Sequence, residues 1–325
     1  MKKLDSSIIT TLGSKVKQQE PLAPYTTFKI GGPAEYFMIA RSRDDVVAGV
    51  NAALNAHVPV RVIGGATNLV VSDAGIAGLV IKNESHDIKV IAYKGKANHG
   101  KMQVDQVVVE ADSGVLVNQL VRYTVDESLA GLEHFLGQPG TVGGAVWINA
   151  HNMNKGVFFG DFIREAGVID KDGKVKIVPQ EYFHFGYDVS SIQKTGEYVL
   201  FVRLVLPRGD KEQLWQDAHK AMEYRRSTQP LGIPSSGCTF RNFSKADAMR
   251  LGTPNLTCSA GYLIDRVGLK GYQIGGAKFS DKHANFILNV DNATSKDVMA
   301  LIALAKSRVK ETFGIDLHEE VVPLQ

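Results

Sequence analysis

Apolar positions recur at helical spacing over residues 4–16, with Lys15, Lys17 and Gln18 on the opposite side, and predict a short amphipathic helix at an edge of the fold. An apolar strand follows at 36–40, then a helix at 43–55, then the run VPVRVIGG, a strand that ends in glycines. A second region opens with strands at 88–93 and 106–111, continues with a helix at 116–127 and becomes glycine-rich from Gly137 to Gly144. A hairpin is expected over 166–178, turning at Lys171-Asp172-Gly173, where Asp-Gly supplies the positive backbone dihedrals of a tight turn. Asp170, Asp172 and Glu181 have the spacing of calcium-loop ligands, but Lys174 at the fifth position and the lack of glycine at the sixth favour the plain hairpin. The last third reads as a helix ending near Arg226, a turn with Pro230 and Pro234, the stretch 236–242, a helix at 260–267, a long helix at 295–313 and a final strand at 319–324. With no internal repeat and no low-complexity linker, the parts are expected to be docked rather than tethered.

The length of 325 residues allows two or three packed units. A net charge of +3, with both signs interspersed, argues against a nucleic-acid groove or a membrane-binding face and leaves small anionic ligands open. Two cysteines, Cys238 and Cys258, are too few for a disulfide framework and imply a reducing compartment. The basic start lacks the apolar run of a signal peptide and no segment approaches a bilayer span, so the expected location is the cytoplasm. Nine histidines form no HExxH-like pair, and no catalytic metal is expected.

Four segments could carry chemistry. Gly64-Gly65-Ala66-Thr67-Asn68 follows a β-branched strand and lets backbone amides approach an anion, although it also reads as a tight turn; it lacks both GxGxxG and GKS/T. The cluster from Gly137 through Gly140, Thr141 and Val142 to Gly144 is the second glycine-rich segment. Together the two suit a pyrophosphate-bridged cofactor such as FAD, with structural turns as the alternative. Cys238, beside Gly237, could act as an acid, since a thiol with a reference pKa near ~8.5 is mostly protonated at neutral pH; a buried inert cysteine is the other reading, and Cys258 is taken as one. On the final strand, alternation would send Glu319 and Glu320 to opposite faces, one into a site, or leave both on a solvated edge.

In order, TTFKIGGPAEYF, RVIGGATNLVVSD, LAGLEHFLGQPGTVGGAVWINA, RRSTQP, SGCTFRN, AGYLIDRVGLKGYQIGGAKFSDKHANFILN and HEEV resemble the UDP-N-acetylenolpyruvoylglucosamine reductases from about Thr26 to Val321. The resemblance implies an α+β protein: a two-lobed FAD-binding fold of the PCMH or vanillyl-alcohol-oxidase type, plus a C-terminal α+β substrate domain. The lobes are placed at 1–85 and 86–222 and the substrate domain at 223–325, with its last strand packing back on the FAD lobes. It also implies a reaction in which hydride passes from NADPH by way of the flavin to the methylene end of a UDP-linked enolpyruvyl sugar, leaving a carbanion beside the carboxylate. The resemblance maps the proton donor onto Cys238, where serine is commoner, and the catalytic glutamate onto Glu320. FAD contacts fall on Tyr25, Thr27, Ile30, Gly31, Gly64, Gly65, Ala66, Thr67, Asn68, Gly137, Gly140, Thr141, Val142 and Gly144. Substrate contacts fall on Tyr187, Asn242, Lys270 and His283. No metal, nucleic acid or membrane partner is implied; the oligomeric state stays open, with a monomer favoured.

Two departures stand out. Where the family has arginine after tyrosine in a YRxS segment, this chain has Tyr187-Asp188-Val189-Ser190, and a carboxylate cannot stabilise a developing anion. Arg225, Arg226 and Arg241 are candidates to supply that charge. The stretch from His151 to Gly160 replaces a segment close to NAGAYG and implies a local insertion, and the chain from Tyr187 to Arg225 is too short for the substrate-covering loop of the longer subclass. Rival readings are a flavin oxidoreductase of the same fold with another substrate, and a catalytically weak or silent nucleotide-binding relative.

Overall fold

The computed structural model describes residues 6–98 and 101–325. Three sheets hold most of its strands. One is ordered Val16–Pro21, Pro33–Ala40, Ile76–Asn83, Val60–Ile63; a second Val175–Pro179, Ile163–Ile169, Tyr198–Pro207, Lys101–Asp112, Ile88–Asn98; a third Ser235–Cys238, Phe286–Asn289, Ala277–Phe279, Gln273–Ile274. The chain divides into two compact units. The first comprises the chain up to Gln18 with Tyr36–Gly65 and Gly78–Arg225; the second comprises Gln19–Glu35, Ala66–Ala77 and Arg226–Gln325.

In the first unit the helix Arg43–Asn55 begins where Ser42 accepts the Asp45 amide at 3.1 Å and two aspartates face the N-terminal dipole. Val46, Gly49, Val50 and Ala53 fall at helical spacing and are buried. A Cβ at Gly49 would meet Ile81 and Met38 at 2.7 Å, so this glycine sets how closely helix and strand approach. The antiparallel five-stranded sheet packs Val107, Val109, Val202, Leu204 and Leu206 into a core with the helix Val117–Asp126. In the second unit the helix Ser295–Phe313 is closed by a capping box between Thr294 and Asp297 and stopped by Gly314 at φ 69°. Its Val298, Leu301, Ile302, Ala305 and Val309 are buried against Phe240, Phe279 and Ile287.

Several expectations are corrected. The N-terminal helix is Ser6–Leu12, followed by a tight turn and the strand Val16–Pro21, because Gly13 takes φ 57° and ends it; residues 4 and 5 lie outside the described residues. At the 166–178 hairpin only Gly173 has a positive φ, 78°, and Asp170 caps the turn by accepting the amides of Asp172 and Lys174 at 3.0 and 2.9 Å. The last strand is only Val322–Leu324, parallel to Leu69–Val71. Glu319 makes an isolated bridge to Phe240, so strand alternation does not govern Glu319 and Glu320. Cys258 is half-exposed, not buried. The stretch beginning at His151 forms a small hairpin of His151–Asn152 and Val157–Phe158.

Candidate active site

In the second unit three pieces of chain distant in sequence are laced together by backbone. Glu320 donates its amide to the Thr239 carbonyl at 2.9 Å, and Arg241 donates to the His318 carbonyl at 2.9 Å. The Asn68 side chain donates to the Glu320 carbonyl at 2.9 Å, and Val322 donates to the Asn68 carbonyl at 2.9 Å. Gly237, at φ 82°, lies beside the Thr67 carbonyl. Cys238 and Glu320 are thereby held on adjoining backbone: the Glu320 amide bonds the residue that follows Cys238.

Asn285, which the sequence reading did not single out, clamps the cysteine segment from the other side. Its Oδ1 accepts the Phe240 amide at 2.9 Å, its Nδ2 donates to the Phe240 carbonyl at 2.8 Å, and its own carbonyl accepts the Thr239 amide at 2.7 Å. It is buried, so these bonds are shielded from competing water. Thr27 reaches the same loop as Asn68, its hydroxyl donating to the Ala66 carbonyl at 3.2 Å.

The amides of Gly65, Ala66, Thr67 and Asn68 donate no hydrogen bond to another residue among those described. Ala66 adopts φ 49°, a left-handed conformation of the kind that can turn successive amides toward one another. The second glycine cluster is different. Val142 donates to Val115 at 2.8 Å, Gly143 to Ser113 at 2.8 Å, Gly137 to the Asn118 side chain at 2.6 Å, and Gly144 to the Thr141 hydroxyl at 3.4 Å. Of the residues expected to touch a cofactor there, Gly140 and Thr141 keep amides not bonded among the described residues. The start of the helix Val142–Ile148 is thus mostly spent on folding. A Cβ at Gly64 would lie 2.1 Å from the Thr141 hydroxyl, so Gly64 is required for this approach.

A family model for the C-terminal domain of UDP-N-acetylenolpyruvoylglucosamine reductase matches residues 229–324, and one for an FAD binding domain matches residues 34–178. The reductase of that name from Bacillus subtilis is 38% identical over 308 residues, covering 94% of this chain and 93% of its own. The one from Lachnoclostridium phytofermentans is 34% identical over 318 residues, covering 97% and 94%. The chain belongs to this reductase family. A crystal structure of the Thermus caldophilus reductase of that name superposes with a TM-score of 0.71 at 30% identity, covering 95% of this chain and 98% of the other. The expected α+β fold, an FAD-binding region followed by a reductase C-terminal domain, is what these matches show.

Against that reductase background, the remaining expected site residues fall as follows. His283 accepts the Asn285 amide at Nδ1, 3.3 Å away, which leaves Nε2–H as its donor. Burial pushes its pKa down, and the nearby Lys270 ammonium adds to that. Lys270 itself lies 3.5 Å from Asp265. Asn242 is exposed. The Tyr25 hydroxyl donates to Glu20 at 2.5 Å. Ile30 and Val142 are core side chains, so only their backbone could meet a cofactor. Gly31 is held at φ 138° with Val71 and Leu22 against it. Of the candidate arginines, Arg225 belongs to the first unit and reaches Gln138 at 3.4 Å, while Arg226 and Arg241 belong to the second, where the Arg226 carbonyl accepts Lys282 at 2.6 Å.

Proposed function

We propose that this chain reduces the enolpyruvyl double bond of UDP-N-acetylglucosamine enolpyruvate to give UDP-N-acetylmuramate, with NADPH as reductant and FAD as cofactor, in peptidoglycan precursor synthesis. The observation that carries the reading is the lacing of the Cys238 segment to the Glu320 segment and to the Ala66–Asn68 loop within one unit. Residues of each unit, taken by itself, fit the phosphates of FAD: Ala66, Thr67 and Asn68 in the second unit, and Gly140 and Thr141 in the first, have amides not bonded among the described residues. FAD, when bound, supplies the hydride relay from NADPH to the substrate's methylene carbon.

The chain's own residues do the remaining work. Cys238 holds a proton at Sγ and delivers it to the carbon beside the carboxylate, where negative charge develops; a thiol does this more readily than the serine commoner in the family, because its reference acidity is greater. Glu320 assists at the same carbon. In the second unit Lys270 and the Nε2–H of His283 favour the diphosphate and Arg241 and Asn242 contact the sugar nucleotide; Tyr187 and Arg225 are the substrate contacts proposed for the first unit. The lobes at 1–85 and 86–222 hold the flavin, and 223–325 holds the sugar nucleotide. No helix among the described residues is long and apolar enough to cross a membrane. A cytoplasmic monomer is the form proposed.

The test is direct. Purified protein carries bound flavin and oxidises NADPH when the enolpyruvyl sugar nucleotide is added. Cys238→Ala keeps flavin reduction by NADPH and lowers reoxidation by substrate at least about 100-fold. Loss of both half-reactions together would refute the assigned role of Cys238.

A further inference from the structure

His151 and Asp188 stand at the two places where the sequence departs from the family pattern, and the fold of the first unit brings them together. The His151 Nδ1 lies 3.5 Å from an Asp188 carboxylate oxygen, with side-chain exposures of 17% and 1%. Asp188 sits at φ 55° in a tight turn, in which Gly186 donates to the Val189 carbonyl at 2.9 Å and Val189 donates back at 3.3 Å. Asn149 anchors one side of that turn through the Gly186 carbonyl at 3.0 Å, and Gln193 anchors the other through the Asp188 carbonyl at 3.0 Å. The backbone, and not the side chain's own preference, therefore forces the carboxylate inward.

The imidazole is fixed just as closely. Its ring packs against Tyr187 at 4.7 Å with 34° between planes, and against Phe158 at 5.6 Å. Among the described residues its Nδ1 is buried without a hydrogen bond of good geometry. A bond needs about 2.8–3.0 Å, so a ring movement of under ~1 Å toward Asp188 completes it. Burial pushes the His151 pKa down, the Asn149 carbonyl opposes this, and the Arg225 guanidinium adds to the lowering. Near neutral pH the imidazole is thus uncharged, the state in which an Nδ1–H donated to a carboxylate fixes its tautomer.

We propose that His151 and Asp188 form a positioning pair for Tyr187: the carboxylate fixes the imidazole by its Nδ1 edge, and the ring face braces the phenol for the sugar-nucleotide substrate. The inference rests on the function proposed above. Its consequence is that Asp188 does not occupy the missing arginine's role badly; it has a different role, and the pair is one coupled replacement.

Two measurements test it. In the holoenzyme, the titration of the His151 ring proton is followed by NMR, with His151→Gln supplying the assignment. Asp188→Asn, which keeps the turn because asparagine accepts a left-handed backbone, lowers the midpoint, since a neighbouring carboxylate favours the protonated ring. An unchanged midpoint overturns the pair. In steady state, Asp188→Asn, His151→Gln and Tyr187→Ala each raise KM for the enolpyruvyl sugar nucleotide about tenfold, and in Asp188→Asn and His151→Gln flavin reduction by NADPH stays within about twofold. Any two combined are no worse than one. Losses that multiply, or an equal fall in the NADPH half-reaction, overturn the positioning role. A wild-type protein that ignores this substrate defeats the function reading instead, and the ring titration still decides whether the pair exists.

Discussion

On the five-stranded sheet of the first unit, Glu110 is gripped by Arg43 at 2.9 Å and Arg203 at 2.8 Å, with Lys89 at 3.4 Å. Arg43 also binds Asp112, Arg203 also binds Glu165 at 2.7 Å, and both guanidiniums lie over the Phe201 ring at 4.2 and 5.2 Å. Asp188 in the same unit is buried as deeply, and an imidazole whose charge is suppressed by burial lies 3.5 Å from it. The difference separates two uses of a buried carboxylate. Where its purpose is to tie strands and a helix together, cations surround it. Where it stands beside a residue expected to touch substrate, a half-buried imidazole, kept uncharged by burial, lies next to it.

Removing the carboxylate at each place breaks the comparison most visibly. Glu110→Ala leaves two guanidiniums facing each other and lowers the unfolding free energy by roughly 3 kcal/mol in urea titrations. The milder Glu110→Gln costs about 2 kcal/mol, whereas the same chemical change at Asp188, Asp188→Asn, stays within about 1 kcal/mol while raising KM for the sugar nucleotide. Equal stability losses at the two sites would erase the distinction. The smallest effect is one of pH. Burial acts to raise the Glu110 pKa, but hydrogen bonds from Arg203 and Arg43 outweigh it and hold the group below the usual glutamate value. The unfolded chain therefore takes up this proton first. The stability Glu110 contributes is complete above the unfolded pKa of about 4.3 and is lost as pH falls from there through the folded value. Chemical denaturation at pH 6 and pH 4 shows a steeper loss in wild type than in Glu110→Gln.

How much of this could be read along the chain differs by element. The helices Arg43–Asn55 and Ser295–Phe313 were legible because Ser42, Thr294 and Asp297 announce their starts and the apolar residues keep helical spacing. The helix Val142–Ile148 was not, since VGGAVWI looks like a glycine turn; close packing of Gly143 against Ser113, a tertiary contact, makes it helical. The strands Gln273–Ile274, Ala277–Phe279 and Phe286–Asn289 are too short to show alternation. Within the site, motifs pointed to Cys238 and Glu320, but nothing local marks Asn285, whose two side-chain bonds both go to the backbone of Phe240, far away in sequence. His151 and Asp188 each looked anomalous alone; only folding relates them.

The parallel pairing of Val322–Leu324 with Leu69–Val71 carries a consequence for biogenesis. Asn68 finds its Glu320 partner 252 positions downstream, so on the ribosome the half that carries the sulfhydryl waits with an open edge until translation has passed the far strand. The half built around Gly78–Arg225 faces no such delay. Nascent chains stalled before Val322 should therefore be chaperone clients through one half of the molecule and protease-resistant through the other.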